Sequence, residues 1–459
     1  MQNRTETPAR LPTTKSLRLH EAARELLPGG TSRSVHQTQP HPIYARSGAG
    51  CVVTDVDGNR YLDFYNNASS LIHGHAHPGV VAAVEEQLRR GTAFSLPVES
   101  QIELARLLTD RIASVEQVRF VNSGSEAVML AIQAARSITN RPRIAKFEGL
   151  YHGSADAVEV SLDPDPRAWG PPRHPSSVPY TRGTPEGVLD SVSILPLDDV
   201  PAMESILRAQ AHELAAVLVD VIPMRLGMIP ARPDWLAAVR QLTRELGILL
   251  ISDEVVAFRL AHGGAQAWYD FDADLTVLGK IVGGGLPIGV VGGPLEMMRS
   301  FDDSGGRAAV PHAGTFNANP LTLAAGIAAL SALPASEVQR INELGASLRR
   351  GADAVFQSAG LAAHATGLGS LFGIHMTERR FADYRGYWSA CVADAGVRQR
   401  QRNLYDRLLQ RGILLSTGGV GNVSTAVSER EIDAFLEALA DSCREMQRDG
   451  DGDGTGPGT

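Results

Sequence analysis

The chain of 459 residues contains few cysteines and no excess of positive charge. Its cysteines, Cys51, Cys391 and Cys443, are odd in number and far apart, so they predict reduced thiols rather than a disulfide framework or a metal site. Because 51 acidic side chains outnumber 43 basic ones, no basic surface is expected for nucleic acid or anionic membranes. We therefore expect small-molecule ligands.

Long apolar segments are also missing. No run approaches the roughly 20 residues of a transmembrane helix, and the polar N-terminus lacks the apolar core of a signal peptide, which predicts a cytoplasmic protein. Residues 1–15 and 449–459 are polar or rich in glycine, so both ends are expected to be disordered.

Between these ends, apolar runs alternate with helical patterns. Strands are expected at 117–121, 143–147, 215–221, 248–252, 275–278 and 288–292, and helices at 125–139 and 235–246. This alternation predicts an α/β fold in which helices cover a parallel sheet. After about residue 325, longer helices (321–333, 337–359 and 432–446) with short strands at 370–375 and 413–415 predict a smaller C-terminal domain.

Lys280 is the candidate catalytic residue. It follows the apolar run Leu275–Leu278 and one glycine, and three more glycines come soon after it, at 283–285. Such a strand end leaves backbone room beside the ammonium group, and burial would lower its pKa. An uncharged amine at this place is suited to Schiff-base formation with an aldehyde. A solvated lysine after a strand is the alternative.

Asp253 ends another apolar strand, where α/β folds keep their ligands. One interpretation is that its carboxylate pairs with the protonated ring nitrogen of pyridoxal phosphate and so keeps the ring an effective electron sink. A helix cap or a structural ion pair is the alternative. If the two strands are parallel neighbours, Lys280 and Asp253 can reach the same ring.

A phosphate site is predicted at Asn122–Ala127, where a strand turns into a helix. Backbone N–H groups, the helix dipole and the hydroxyls of Ser123 or Ser125 can converge there on one anion. Tyr151, just before His152, offers an aromatic face for stacking on a ring, although packing in the core is an alternative.

Together these motifs carry a family resemblance over about residues 27–427. The chain resembles class III pyridoxal-phosphate aminotransferases, and among them the glutamate-1-semialdehyde 2,1-aminomutases and the β-phenylalanine aminotransferases. The motifs lie at 28–33, 55–58, 120–127, 146–153, 252–255, 278–280 and 312–317.

The resemblance implies a fold-type I transferase. A large domain (71–325) would hold a mostly parallel seven-stranded sheet, a smaller α+β domain would span 326–448, and the N-terminal segment 1–70 would pack with the small domain.

The same resemblance implies roles for individual residues. Lys280 would bind the cofactor and move the substrate proton, Asp253 would face the pyridine nitrogen, and Tyr151 and Val255 would cover the two ring faces. The phosphate would be held by Ser123, Gly124 and Ser125, with His152 nearby and Thr315 supplied by the neighbouring subunit. A phosphate ligand from the neighbouring subunit implies a homodimer with a shared active site. No metal is expected.

The residues expected to recognise the substrate match those of the related families less well than the cofactor residues do. Arg33 matches an arginine that binds a substrate carboxylate, a task for which a bidentate guanidinium is well suited. Ala68 stands where the aminomutases carry a large aromatic residue, and Arg225 lies near the cofactor's ring oxygen. The aminomutases' late acidic residue aligns with Gly421, and the arginine of β-phenylalanine aminotransferases aligns near Gly418. A roomier, differently charged pocket is expected.

These departures lead to a specialised aminotransferase as the predicted function. The donor would be an amino acid, glutamate first, and the acceptor a carboxylated keto acid of secondary metabolism, such as the cyclic 3-dehydroshikimate in the formation of 3-aminobenzoate. Glutamate-1-semialdehyde 2,1-aminomutase or β-amino acid aminotransferase activity is the alternative. The long segment 154–195 fits a mobile lid or a subunit contact equally well.

A metal-dependent amidohydrolase is the remote alternative, since His73, His75 and His77 alternate as zinc ligands on a strand would. The Pro-Gly pair after His77 indicates a turn instead. A structural role is favoured for these histidines, while His73 remains a candidate for the pocket wall.

Overall fold

The computed structural model describes residues 11–450. Its strands are β1 (Ala45–Ala49), β2 (Val52–Asp55), β3 (Arg60–Asp63), β4 (Gln117–Val121), β5 (Arg143–Phe147), β6 (Val192–Leu195), β7 (Leu214–Val219), β8 (Leu249–Asp253), β9 (Leu275–Gly279), β10 (Gly289–Gly293), β11 (His364–Thr366), β12 (Leu371–His375), β13 (Ile413–Leu414) and β14 (Val420–Asn422).

The α-helices are Thr14–Leu26, Pro78–Arg90, Glu99–Thr109, Gly124–Thr139, Asp156–Glu159, Glu186–Asp190, Val200–Gln210, Pro233–Leu246, Gly264–Tyr269, Leu295–Met298, Pro320–Ser331, Ala335–Ser358, Tyr384–Tyr387, Ala395–Gln410 and Glu429–Arg448. A π-helical turn, Trp388–Val392, follows Tyr384–Tyr387.

A seven-stranded sheet with the order β4-β10-β9-β8-β7-β5-β6 forms the centre of the large domain. The pairs within β9-β8-β7-β5-β6 are parallel, whereas β10 pairs antiparallel with both β4 and β9. The predicted α/β fold with a mostly parallel seven-stranded sheet is therefore confirmed.

Both faces of this sheet are buried. Along β7, Val217 and Val219 pack into an apolar cluster that contains Trp235, while Ala216 and Leu218 pack into the cluster on the opposite face. The second cluster includes the apolar face of helix Gly124–Thr139. This two-sided burial explains why the strand is continuously apolar rather than alternating.

Several elements differ from the sequence expectation. β4 and β5 have the predicted bounds, but no strand was expected at β6, and helix Pro78–Arg90 was also missed. β6 is a run of only four residues after a long irregular segment, which leaves little periodicity to detect.

The N-terminal segment joins the small domain through a second sheet, β1-β2-β3-β13. In it β3 pairs parallel with β13, with Leu62 opposite Ile413. The small domain also contains the sheet β11-β12-β14 and the packed helices Ala335–Ser358 and Glu429–Arg448.

The two ends that were expected to be disordered lie largely outside the described residues. Helix Thr14–Leu26 nevertheless begins within the segment 1–15, so that expectation does not hold for its last residues. Within residues 11–450, no single helix has the length and apolarity to cross a bilayer; Pro320–Ser331 and Ala335–Ser358 pass only as a pair bent by 77°.

Candidate active site

A cavity of about 380 Å³ lies at the carboxyl edge of the large sheet. The ends of β7, β8 and β9 contribute Asp220, Asp253 and Lys280 to its wall, and the turns after β4 and β5 contribute further residues. Parallel strands place their carboxyl ends at one edge, so residues far apart in sequence meet there.

Lys280 immediately follows β9, and its φ of 49° lies in the left-handed region that non-glycine residues rarely adopt. Burial lowers the pKa of this ammonium group to about 8, against the opposing charges of Asp253 and Asp220. About a tenth of the amine is therefore uncharged at pH 7, far more than for a lysine with the ordinary pKa, and the uncharged form is the one that a nucleophile or proton carrier requires.

Asp253 ends β8, the parallel neighbour of β9, and its Cα lies opposite that of Val277. His152 Nδ1 donates to Asp253 Oδ2 at 2.8 Å, and the backbone N–H of Val255 donates to Oδ1 at 3.1 Å. The carboxylate is thus oriented from two sides. The adjacent Glu254 points into the core, where Gln266 Nε2 donates to it at 2.9 Å.

His152 is a fully buried side chain of the cavity wall whose Nε2 has no hydrogen-bond partner among the described residues. A buried polar atom without a partner is uncommon in a folded chain and often marks the place of a missing ligand or water.

Asp220 is a second buried carboxylate of this wall, and it was not among the predicted site residues. Burial and the nearby charge of Asp253 raise its pKa to about 7. Like Asp253, it follows an apolar parallel strand, and that shared position is the sequence signal that could have found it.

Helix Gly124–Thr139 presents its N-terminus to the cavity. Ser123 caps the helix by accepting from the N–H of Glu126 at 3.2 Å, so the N–H groups of Gly124 and Ser125 are left without intrahelical acceptors. This arrangement suits an anion such as phosphate. A Cβ at Gly153, whose φ is 99°, would lie 2.6 Å from Ser125 Oγ, so a side chain there would crowd the anion site.

The remaining walls are apolar or aromatic. Val255 packs against Gly124, where an added Cβ would come within 3.0 Å of a Val255 methyl carbon. Tyr151 is 44% exposed, and its hydroxyl is 3.4 Å from Ser154 Oγ. A cavity with an anion site, a lysine, an oriented carboxylate and an unpartnered His152 nitrogen fits pyridoxal phosphate.

Thr315 is exposed and is not part of this chain's cavity wall. Its loop nevertheless reaches the phosphate turn of the same chain, because Asn122 Nδ2 donates to Asn317 Oδ1 at 2.8 Å.

The predicted substrate residues do not all meet in the cavity. Arg33 is exposed and is not itself part of the wall, but its Nη1 donates to Asn67 Oδ1 at 2.6 Å. Asn67 and Ser70 form part of the wall, whereas Ala68 between them does not. Neither Asn67 nor Ser70 was predicted, since nothing in a short polar stretch shows which residue faces inward.

The other three predicted substrate residues lie outside the wall. His73 is buried, and both ring nitrogens have partners: Nε2 donates to the Ala329 carbonyl and Nδ1 accepts from Thr425 Oγ1, both at 2.8 Å. Arg225 is exposed in the turn after β7. Gly421 is buried in β14, where a side chain would collide with the Phe372 ring.

Within residues 11–450, no cluster of three or more histidine, cysteine, aspartate or glutamate side chains has the geometry of a metal site. The histidines at 73 and 77 stack with ring centroids 4.7 Å apart, and His75 Nε2 donates to Asp63 Oδ2 at 2.8 Å.

The chain is similar in sequence to known proteins over most of its length. The family described as Aminotransferase class-III matches residues 33–442. Glutamate-1-semialdehyde 2,1-aminomutase of Methanothermobacter thermautotrophicus is 37% identical over 427 residues, which cover 92% of this chain and 97% of that protein.

Two solved structures are similar to this chain. An omega-transaminase from Sphaerobacter thermophilus superposes with a TM-score of 0.90 at 44% identity, covering 97% of this chain and 100% of the other. A β-phenylalanine aminotransferase from Variovorax paradoxus superposes with a TM-score of 0.84 at 32% identity, covering 95% of each chain.

Proposed function

Because the chain belongs to the class-III aminotransferases, enzymes that depend on pyridoxal phosphate, we propose that it moves an amino group from a carboxylated donor to a carboxylated keto acceptor. The observation that carries this proposal is the single cavity in which Lys280, Asp253 and the N-terminus of helix Gly124–Thr139 converge.

The chain's own residues would hold the cofactor from several sides. Asp253 would face the pyridine nitrogen, the helix N-terminus with Gly124 and Ser125 would hold the phosphate, and Tyr151 and Val255 would border the ring. Asp253 is already oriented by a hydrogen bond from His152 at 2.8 Å, so little rearrangement is needed on binding.

Thr315 supports a shared site in a homodimer. Its side chain is exposed and lies outside its own cavity wall, and the neighbouring Phe316 is 60% exposed. An exposed aromatic side chain of this size is suited to a contact between subunits. We propose that Thr315 completes the phosphate site of the partner subunit.

When bound, pyridoxal phosphate supplies an aldehyde for the amine and a ring that stabilises negative charge on the adjacent carbon. Lys280 would hold the cofactor and then, with its pKa lowered to about 8 by burial, take and return the proton of the substrate carbon. Asp253 would keep the ring positively charged throughout, because its buried carboxylate favours a cationic partner.

Arg33 would bind the substrate carboxylate. Its guanidinium contacts Asn67 but forms no ion pair within residues 11–450, so its charge is available to an anion. Glutamate is the first candidate donor. A cyclic keto acid of secondary metabolism, such as 3-dehydroshikimate aminated on the way to 3-aminobenzoate, is a candidate acceptor because the polar Asn67 and Ser70 in the cavity wall suit a hydroxylated ring.

We favour transfer over isomerisation. Among the solved structures, the omega-transaminase is 44% identical to this chain, whereas a glutamate-1-semialdehyde-aminomutase from Pseudomonas aeruginosa PAO1 is 25% identical, and each superposition covers more than nine tenths of the chain. The aminomutase reaction remains the alternative.

Two half-reactions test the proposal. Holoenzyme is mixed with glutamate alone, and loss of the visible absorption of the lysine-bound cofactor is followed together with release of the oxoacid. The aminated enzyme is then mixed with 3-dehydroshikimate and other keto acids. Release of an oxoacid without any second substrate supports a transferase; conversion of glutamate-1-semialdehyde with no external donor would establish the mutase instead.

A further inference from the structure

Residues Asn66–Ser69 form a left-handed turn. Their φ angles are 47°, 48°, 56° and 69°, so four consecutive non-glycine residues occupy the left-handed region. L-amino acids avoid this region because Cβ approaches the following carbonyl oxygen, and single residues rather than runs are the rule. Such a run persists only where the surrounding structure holds it.

Buried polar groups hold the turn in place. Asp63 Oδ1 accepts from the backbone N–H groups of Tyr65 and Asn66, both at 2.8 Å. Asn422 Nδ2 donates to the Tyr65 carbonyl at 2.9 Å, and Asn422 Oδ1 accepts from Arg259 Nη1, also at 2.9 Å. Asp63, Asn422 and Arg259 are all buried, so the turn is anchored to both domains.

The turn brings Asn67 into the same cavity wall as Lys280. Its amide is locked at both ends: Nδ2 donates to Ser70 Oγ at 3.1 Å, and Oδ1 accepts from Arg33 Nη1 at 2.6 Å. Ser70 Oγ in turn donates to the Asn67 carbonyl at 3.0 Å. The acceptor end of the amide is therefore aimed at the guanidinium.

The chemistry of this partner decides what Arg33 can do. A carboxylate at position 67 would hold the guanidinium equally well but would neutralise it, whereas an amide oxygen orients it and leaves the full positive charge. Within residues 11–450, Arg33 has no carboxylate in ion-pair distance, and its charge acts on Lys280.

We propose that Asn67 is a specificity-determining residue, which selects carboxylated substrates by orienting Arg33 without neutralising it. The inference rests on the proposed role of Arg33 as the carboxylate-binding residue. Asn67→Asp is the sharpest test because the two side chains have the same shape and both tolerate positive φ.

Two amines that differ in the carboxylate serve as probes: β-phenylalanine and 1-phenylethylamine, in which a methyl group replaces the carboxymethyl group. Each is mixed with holoenzyme, and the concentration dependence of the loss of cofactor absorption gives an apparent dissociation constant and a maximal rate. Calorimetric titration with 3-phenylpropanoate, which has the carboxylate but no amine, measures recognition without turnover.

For Asn67→Asp we expect about 10- to 100-fold weaker saturation by β-phenylalanine, the loss typical of a charge-assisted hydrogen bond, with a similar loss for 3-phenylpropanoate. Saturation by 1-phenylethylamine should stay within about threefold, since it has no anion to place. Asn67→Ala, which keeps the charge on Arg33 but loses its orientation, should give a smaller loss. The thermal midpoint of each variant is recorded to exclude unfolding.

Asn140→Asp is the matched control, because Asn140 is exposed, has a φ of 52° and lies outside the cavity wall. Equal effects of Asn67→Asp on both amines, or no effect on β-phenylalanine, would overturn the inference. Arg33→Gln tests the proposed role of Arg33 separately from the inference about Asn67. That role fails as well if Arg33→Gln leaves carboxylate recognition unchanged. It also fails if the wild-type enzyme does not distinguish the two amines or accepts no carboxylated donor.

Discussion

The two ends of the cavity are built in different ways. At the proposed cofactor end, Asp253 ends β8, and Asp220 and Lys280 come directly after β7 and β9, so all three are positioned by neighbouring parallel strands of the large sheet. At the proposed substrate end, Asn67 lies in the wall on a strained turn and contacts Arg33, which comes from an exposed loop outside the wall.

This difference agrees with the proposed division of roles between catalysis and substrate selection. Residues at strand ends cannot move without disturbing the sheet, which suits groups that every turnover needs in one geometry. Residues on loops can change with little cost to the fold, which suits groups that distinguish one substrate from another. Substitutions at the cofactor end should therefore reduce the reaction of all substrates, and those at the substrate end only some.

The largest effect is expected for Lys280→Ala, because turnover would lose the proposed proton carrier. We expect a decrease in kcat of about 10³-fold or more. Borohydride reduction of wild-type holoenzyme, followed by peptide mass spectrometry, should place the cofactor on Lys280. The chain's other lysines are Lys15 and Lys146, so label on Lys146 would contradict the assignment. Lys15→Ala, at an exposed position, is the control.

A smaller decrease, of about 100-fold in kcat, is expected for Asp253→Asn. The amide keeps the shape of the carboxylate and can still accept from His152, but it removes the charge that would keep the ring cationic. Steady-state kinetics with two unrelated donors checks this prediction, with Asp190→Asn at an exposed position as control. A loss confined to one donor would place Asp253 with substrate recognition instead.

Arg33→Gln should separate the two ends of the cavity. We expect KM for a carboxylated donor to rise about 10- to 100-fold, while cofactor affinity stays within about threefold of wild type. Cofactor titration of the apoenzyme and donor saturation of the holoenzyme provide the two measurements. Arg46→Gln, at an exposed strand position of the same segment, is the control; parallel loss of both affinities would assign Arg33 a structural role.

The smallest effect is expected from Asp220→Asn, in the pH dependence. The charge of Asp220 raises the pKa of Lys280, so its removal should lower that pKa below the wild-type value of about 8. The amine is uncharged above its pKa. The pH at which the rate of cofactor capture by the apoenzyme increases should therefore move to a lower value, by less than about one pH unit.

The effect of Asp220→Asn should fade toward acid. Burial and the charge of Asp253 raise the pKa of Asp220 to about 7, so below that pH the wild-type side chain is already mostly uncharged. Stopped-flow measurements of the rate of cofactor capture as a function of pH test this dependence. A shift toward higher pH would contradict the electrostatic coupling between Asp220 and Lys280.

Much of the cofactor end could be predicted from sequence. The bounds of β4 and β5 were correct, Lys280 and Asp253 were expected at strand ends, and the structure shows that their strands are parallel neighbours. Apolar runs that end in a polar residue or a glycine-rich turn are local signals. β6 was missed because a run of four residues has little periodicity, and its pairing with β5 depends on contacts distant in sequence.

The substrate end could not be predicted in the same way. His73 was expected as a candidate for the pocket wall, but hydrogen bonds to Ala329 and Thr425, remote in sequence, turn it into the protein interior. Asn67 was not singled out, although its neighbour Ala68 was. A left-handed turn of non-glycine residues has no sequence signature of its own, because it is held by Asn422 and Arg259 from other parts of the chain.

The fold class and the enzyme family could be predicted from the chain's residues alone, because strand, turn and helix follow from residues near one another, and Lys280 and Asp253 lie within such local patterns. Which further residues line the cavity beside them depends on long-range contacts. Asp220 joins Asp253 through strand pairing, and Asn67 reaches Arg33 through a turn that buried residues of both domains hold in place. Contacts between distant segments produce no local sequence pattern, whereas helices and strands are predicted from the periodicity of neighbouring residues.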